Sequence, residues 1–424
     1  MGGPASDGWE SLAFDPADPK SALSQIPPAP AVFALNGEDP RAEPYIGRTP
    51  NLQSRLARLL QPSPRNPRRL HLAGLVRSIR WRLTGSDFES LLLQFDLLQT
   101  VFGAKALERM HLRHPAFIRF LGGNPYPRIV VTHRPSQREA DWAYGPFASR
   151  ASAERYADEM LKLFLLRRCI DDLHPDPSFP GCVYSEMKMC LAPCYKGCTD
   201  ERYAEEAVAV ESFLSTRGES RLVTLRTQRD RASANLEFES AAALHAQVQK
   251  VESVRALASE LVRPLSKLHA VILQASANPG DVAVFLFQNG TLRGPAVFST
   301  LGMRIQNEQS GSTSLFAQPM AIEPAPEQSA GATADSAPEK LSRTRLESRL
   351  EAVLAALSAL VQVPSATTRQ GHLALLKRWY YRPEVRRSGE IFFPDADDRW
   401  QVKTILRGVG RVAAQKLKAP ASTT

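Results

Sequence analysis

The chain has 424 residues, 43% of them hydrophobic, and carries 53 Lys and Arg against 44 Asp and Glu, for a formal net charge of +9. That hydrophobic share is enough for ordinary cores, the length suits two to four domains, and the basic excess favours an anionic partner. The N-terminus, with Asp7, Glu10 and Asp15 among glycines and prolines, lacks the basic and apolar regions of a signal peptide. The longest apolar stretch, Leu350 to Val363, is broken by Glu351 and Ser358 and is too short to span a bilayer. No membrane association is expected, and the location is read as cytoplasmic.

In chain order, residues 1–27 are Gly, Pro, Ala and acid without periodicity and read as a disordered lead. Ala31-Val32-Phe33-Ala34-Leu35 reads as a buried strand, Asn36-Gly37 and Asp39-Pro40 as turn chemistry, and Tyr45-Ile46-Gly47 as the returning strand. Thr49-Pro50 supplies a helix start, after which Leu52, Leu56, Leu59 and Leu60 recur at helical spacing, with Arg55 and Arg58 off that stripe. From Pro44 to Ser86 there is no acidic residue, while Arg48, Arg55, Arg58, Arg65, Arg68, Arg69, Arg77, Arg80 and Arg82 lie in the same stretch. A guanidinium fork grips two phosphate oxygens at once, so an acid-free arginine run favours nucleic acid over a merely solvated face.

Cys169, Cys182, Cys190 and Cys194 are separated by 12, 7 and 3 residues, and with Cys198 all five cysteines fall within 30 residues. Clustered thiols in a chain without a secretory leader point to a four-thiolate metal site, and spacing alone does not decide between zinc and iron-sulfur. Further on, Ala241, Leu244, Val248 and Val251 form one apolar helical stripe that begins near Phe238. Val282 to Phe287, Asn289-Gly290 and Leu292-Arg293-Gly294 read as a hairpin, and residues 304–345 as a disordered linker. Helices are expected over Leu346 to Val361 and Leu373 to Tyr381. Asp395, Asp397 and Asp398 read as a polar turn, and His111 and His114 as surface histidines. Gly408-Val409-Gly410 has the spacing by which a helix-hairpin-helix offers backbone N–H groups to phosphate, a weak signal standing alone.

The short strand, the turn, Tyr45-Ile46-Gly47-Arg48, then Asn51-Leu52 and Arg55, together resemble the GIY-YIG nuclease domain of the UvrC excinuclease family. Glu89-Ser90-Leu91-Leu92-Leu93, Asn124-Pro125-Tyr126-Pro127 and Tyr144-Gly145-Pro146-Phe147 resemble later landmarks of that family, in order. The four cysteines have the spacing of its cysteine cluster, which implies a 4Fe-4S centre, with zinc as the alternative. Asn235-Leu236-Glu237-Phe238-Glu239 and the following helix resemble the UVR motif, which implies docking on UvrB through Phe238, Ala241, Leu244 and Val248.

The resemblance implies an α/β and α multidomain chain. Its expected parts are a GIY-YIG α/β domain over 28–135, a helical cysteine-cluster domain over 136–215 and a UVR helical hairpin over 216–257. A small C-terminal α/β remnant over 258–303 and 346–400 and a basic tail over 401–424 complete it. The family's RNase H-like and tandem helix-hairpin-helix domains have no counterpart here. By resemblance Tyr45 is the general base or water-orienting group, Arg48 and Arg55 hold phosphate, and Arg58, Arg68, Arg69 and Arg77 extend the DNA contact. The family's first tyrosine is replaced by Phe33, and the glutamate that binds Mg2+ or Mn2+ falls on Gln94. A neutral amide offers a divalent cation geometry without charge. Two classes therefore remain open: an excinuclease acting on damaged double-stranded DNA, with impaired incision, and a non-catalytic adaptor that binds DNA and UvrB.

Overall fold

A computed structural model describes residues 8–39, 41–61, 70–170, 172–301, 303, 343–360 and 364–418. The first unit comprises β1 (Glu10–Ala13), α1 (Pro19–Ser24), β2 (Ala31–Asn36), β3 (Tyr45–Thr49), α2 (Leu52–Leu60), β4 (Ser78–Leu83), α3 (Asp87–Phe102) and the single turn α4 (Ala106–Arg109). Its sheet runs β1-β4-β2-β3, antiparallel throughout, with Phe33 opposite Gly47 and Leu35 opposite Tyr45. Residues 8–27 are ordered, contrary to the expected disordered lead. β1 pairs with β4, and Phe14, Leu23 and Ile26 enter the core beside Phe33, Leu56 and Trp81. The apolar stripe of α2 is buried as its spacing predicts, but its cap is the Asn51 side chain, which accepts from the Ser54 N–H, rather than Thr49.

The second unit holds β5 (Ala116–Phe120), β6 (Ile129–Thr132), β7 (Ala143–Phe147), α5 (Arg150–Leu161), α6 (Val183–Glu186), α7 (Asp200–Ser215), α8 (Glu219–Ala234), α9 (Phe238–Arg255) and the two-residue β8 (Arg263–Pro264). Its sheet order is β6-β5-β7-β8. The expected boundary at residue 135 thus cuts through a sheet, because β5 and β6 pair with β7 and not with the first unit. Helices α5, α7, α8 and α9 close over this sheet through Tyr156, Met160, Tyr203, Phe213, Val248 and Val251.

The third unit contains β9 (Ala270–Ala275), β10 (Asp281–Gln288), β11 (Thr291–Ser299), α10 (Arg343–Ala359), α11 (Ala366–Tyr380), β12 (Glu390–Phe392) and α12 (Val402–Lys418), with sheet order β11-β10-β9-β12. Side chains alternate along its strands. Ala270, Ile272, Phe285 and Phe287 face α3 and α11, while Val271, Leu273, Val284 and Leu286 face α10 and α12. The segment expected as a basic tail is therefore largely a helix whose Ile405, Val409 and Val412 are buried. Its Gly408 is no phosphate loop. A Cβ there would lie 2.4 Å from the Phe392 ring, so the glycine permits close packing on β12. Of the expected linker, residues 343–345 begin α10 and the rest lies outside the described residues.

α3 joins the first unit to the third. Phe88, Leu91, Leu92, Phe95 and Leu98 share one core with β9, β10 and α11. A Cβ on Gly371 would stand 1.9 Å from the Phe95 ring, and one on Gly85 would stand 2.1 Å from the Ser276 backbone, so both contacts are at backbone distance. Among the described residues no helix is long and apolar enough to cross a membrane.

Candidate functional site

β3 and α2 bring Tyr45, Arg48 and Arg55 to one edge of the first sheet. Arg55 Nη2 donates to Tyr45 Oη at 3.1 Å. Phe33 is fully buried beneath Gly47, where a Cβ would come within 2.8 Å of its ring, so the missing hydroxyl leaves an apolar floor. Arg58 is exposed and donates back to Ser54 O. Arg77 donates to the carbonyls of Gly74 and Val76, which turns its fork toward its own loop. Arg68 and Arg69 lie outside the described residues.

Arg48 is paired to Asp87 at the start of α3. Asp87 also receives Arg382, from the segment after α11, at 2.7 Å. Burial raises the Asp87 pKa, but hydrogen bonds and charge from Arg382 and Arg48 outweigh it, and the carboxyl sits below its ordinary value. Two guanidinium groups on one carboxylate leave this cluster net positive. Arg382 is a site residue the sequence did not reveal, since nothing local marks it.

Gln94 is half-buried two turns beyond Asp87, on the same helical face. The three carboxylates of α3 are each engaged. Glu89 Oε2 accepts from the Gly85 N–H at 2.8 Å, while its own N–H donates to Oγ of the N-cap Ser86. Burial pushes the Glu89 pKa up. Asp96 accepts from Nε2 of the buried His372 at 3.3 Å. That tautomer follows because His372 Nδ1 accepts from the Leu292 N–H at 3.0 Å. With Gln94 neutral and Asp87 held by two arginines, these residues do not make a magnesium site.

The four cysteines occupy irregular chain between α5 and α7. Cys190 is pushed up to about 11, first by burial and then by the neighbouring Cys169, Cys194 and Cys182. Cys194 is raised by burial and by Cys182 and Cys169. Ala192 N–H donates to Cys190 Sγ at 3.3 Å and Arg167 Nη1 to Cys169 Sγ at 3.5 Å, contacts that favour thiolates. This donor chemistry suits a four-thiolate centre. Among the described residues, no group of three or more His, Cys, Asp or Glu is close enough to form a finished metal site.

α8 and α9 form the expected hairpin, tied by Arg226 to Glu252 and by Arg255 to Glu219. Its tip presents Leu236 at 72% and Phe238 at 67% exposure. Ala241 and Leu244 are half-covered. Val248, expected on the docking stripe, is instead buried with Val251 in the core of the second unit, because that stripe turns inward where α9 meets α5.

A family model described as the UvrC/Cho excinuclease middle domain matches residues 117–213, which begin in β5 and contain the four clustered cysteines. The UvrABC system protein C of Alcanivorax borkumensis is 28% identical over 238 residues, 56% of this chain and 39% of that protein. The protein of the same name from Pseudomonas protegens is 28% identical over 273 residues, 64% of this chain and 44% of its own length. That of Carboxydothermus hydrogenoformans is 25% identical over 281 residues, covering 66% and 46%. The chain thus spans less than half the length of these relatives. No solved structure matches. By the sequence it shares with them, and by a cysteine-bearing middle region that coincides with its second sheet and helices, the chain is UvrC-like.

Proposed function

We propose that the protein acts in nucleotide excision repair as a DNA-binding, UvrB-docking member of the GIY-YIG type whose own incision is weak. The observation that carries the reading is the state of α3. Its metal-ligand position is Gln94, and Asp87, Glu89 and Asp96 are engaged by arginines, the Gly85 N–H and a histidine. A divalent cation there would stabilise charge developing on the scissile phosphate, and these groups do not supply the anionic oxygens to hold one. Tyr45, Arg48 and Arg55 retain a surface suited to grip and orient a phosphodiester. The exposed hairpin tip, Leu236 and Phe238, offers apolar side chains to a partner helix. Cys169, Cys182, Cys190 and Cys194 would hold a 4Fe-4S cluster that staples the chain between α5 and α7.

Duplex binding measured across salt concentrations tests the phosphate surface. Arg58→Gln, Arg68→Gln and Arg69→Gln together should weaken binding and lower the salt slope by roughly 0.9 for each phosphate no longer neutralised. Unchanged affinity and slope would assign that run to solvent.

A further inference from the structure

A cavity of about 320 Å3 opens where β5, the chain after β8, the β10–β11 turn and the first turn of α11 meet. It lies apart from the Tyr45 surface, and nothing above uses it. Its lining includes the apolar Phe117, Leu265 and Leu373 and the polar Arg369, Ser266, His133 and Asp141. Its size falls at the low end of small-molecule sites, roughly 300–1,000 Å3.

Three observations give the cavity a chemistry. First, Ser266 Oγ is buried without a hydrogen-bond partner, an arrangement that costs free energy unless a ligand or water completes it. Second, Ala366, the first residue of the 15-residue α11, lines the cavity; Ser365 caps the Thr368 N–H, which leaves the first N–H groups of that helix, beside the cavity, without an intrahelical partner. Third, Arg369 stands one turn further along α11, its stem laid over Gly290, where a Cβ would come within 3.1 Å of Arg369 Cδ. Gly290 has a φ of +77°, which a glycine adopts without strain. His133 Nδ1 donates to Pro115 O at 3.2 Å, which leaves its Nε2 for another group.

We propose that this cavity binds a nucleoside monophosphate unit, with its phosphate on Arg369 and the first turn of α11. The base lies against Phe117, Leu265 and Leu373, a base or sugar donor meets Asp141, and Ser266 Oγ takes the remaining polar contact. The same unit can come from a free nucleotide or from the end of a DNA strand.

Calorimetric titration of the full chain with each 5′-deoxynucleoside monophosphate, with a 5′-phosphorylated tetranucleotide and with inorganic phosphate tests the proposal. Saturable binding of a mononucleotide, weakened roughly tenfold by Arg369→Gln and a few-fold by Ser266→Ala, supports it with the free nucleotide as ligand. If only the tetranucleotide saturates, and Arg369→Gln and Ser266→Ala both remove that affinity, the strand end is the ligand. Ser266→Ala leaves the core and the helix cap intact, so it reports on the site even if Arg369→Gln perturbs the fold. The proposal is overturned if neither nucleotide form binds at about 1 mM, if binding ignores both substitutions, or if inorganic phosphate binds as tightly as the nucleotides.

Discussion

At the residue scale, the informative group is Asp87. It lies between Arg48, from the strand bearing Tyr45, and Arg382, from the far end of the chain. The folded protein keeps Asp87 ionised below the pH at which the unfolded chain takes up the proton. Its contribution is therefore complete at neutral pH and is lost as pH falls through the lowered value. Glu89 has the opposite sign. Its pKa is raised by burial, so the stability it contributes is present at acid pH and fades as pH rises through the raised value. Asp87→Asn should thus flatten the acid limb of a melting-temperature profile while neutral-pH duplex binding persists through Arg48. A limb as steep as in the natural protein would remove Asp87 from the account. Tyr45, Arg48 and Arg55 are named by the family resemblance, and the structure brings them to one edge of the first sheet, with Arg55 bonded to Tyr45. Asp87 could be read only as a helix-start residue. Arg382 could not be read at all, because its partner lies across the whole chain.

At the element scale, apolar patterning and turn chemistry identified β2, β3, α2 and the stripe of α9, while the α8–α9 hairpin came from the family resemblance. Patterning missed α1, which is short and starts at Pro19, and β1, which is held by pairing to β4. It also missed α12, where charge drew attention away from Ile405, Val409 and Val412 at three- and four-residue spacing. For α9 the stripe was right but its division was not, because spacing does not say where a partner helix ends and the protein's own core begins. This gives a paired prediction. Phe238→Ala, at an exposed tip, should abolish co-purification with UvrB while stability changes by no more than about 0.5 kcal/mol. Val248→Ala, in the core, should cost roughly 1–3 kcal/mol. A complex that survives Phe238→Ala would mean the tip is not the docking surface. The cysteine segment has its own test. Anaerobically purified protein should be brown and contain iron, and Cys190→Ser with Cys194→Ser should lose it; an iron-free natural protein would contradict the cluster.

At the scale of the whole molecule, the decisive feature is that α3 is shared. One face carries Asp87, paired to Arg48 of β3, with Gln94 two turns further on, and the rest is buried against β9, β10 and α11, with Gly85 and Gly371 permitting contact at backbone distance. No local pattern reveals this. α3 is apolar on most sides, which says that it is buried but not by what. The same packing engages Asp96 with His372. Restoring Phe33 to tyrosine is a poor remedy, since it adds a hydroxyl at a fully buried ring. The proposed function makes charge at position 94 the missing element, so the most direct measurement is magnesium-dependent nicking of a lesion-bearing duplex preloaded with UvrB. The natural protein should bind this substrate but nick it slowly, and Gln94→Glu should raise the rate by about tenfold or more. Efficient nicking by the natural protein, abolished when Asp96 or Glu89 is neutralised, would contradict the account.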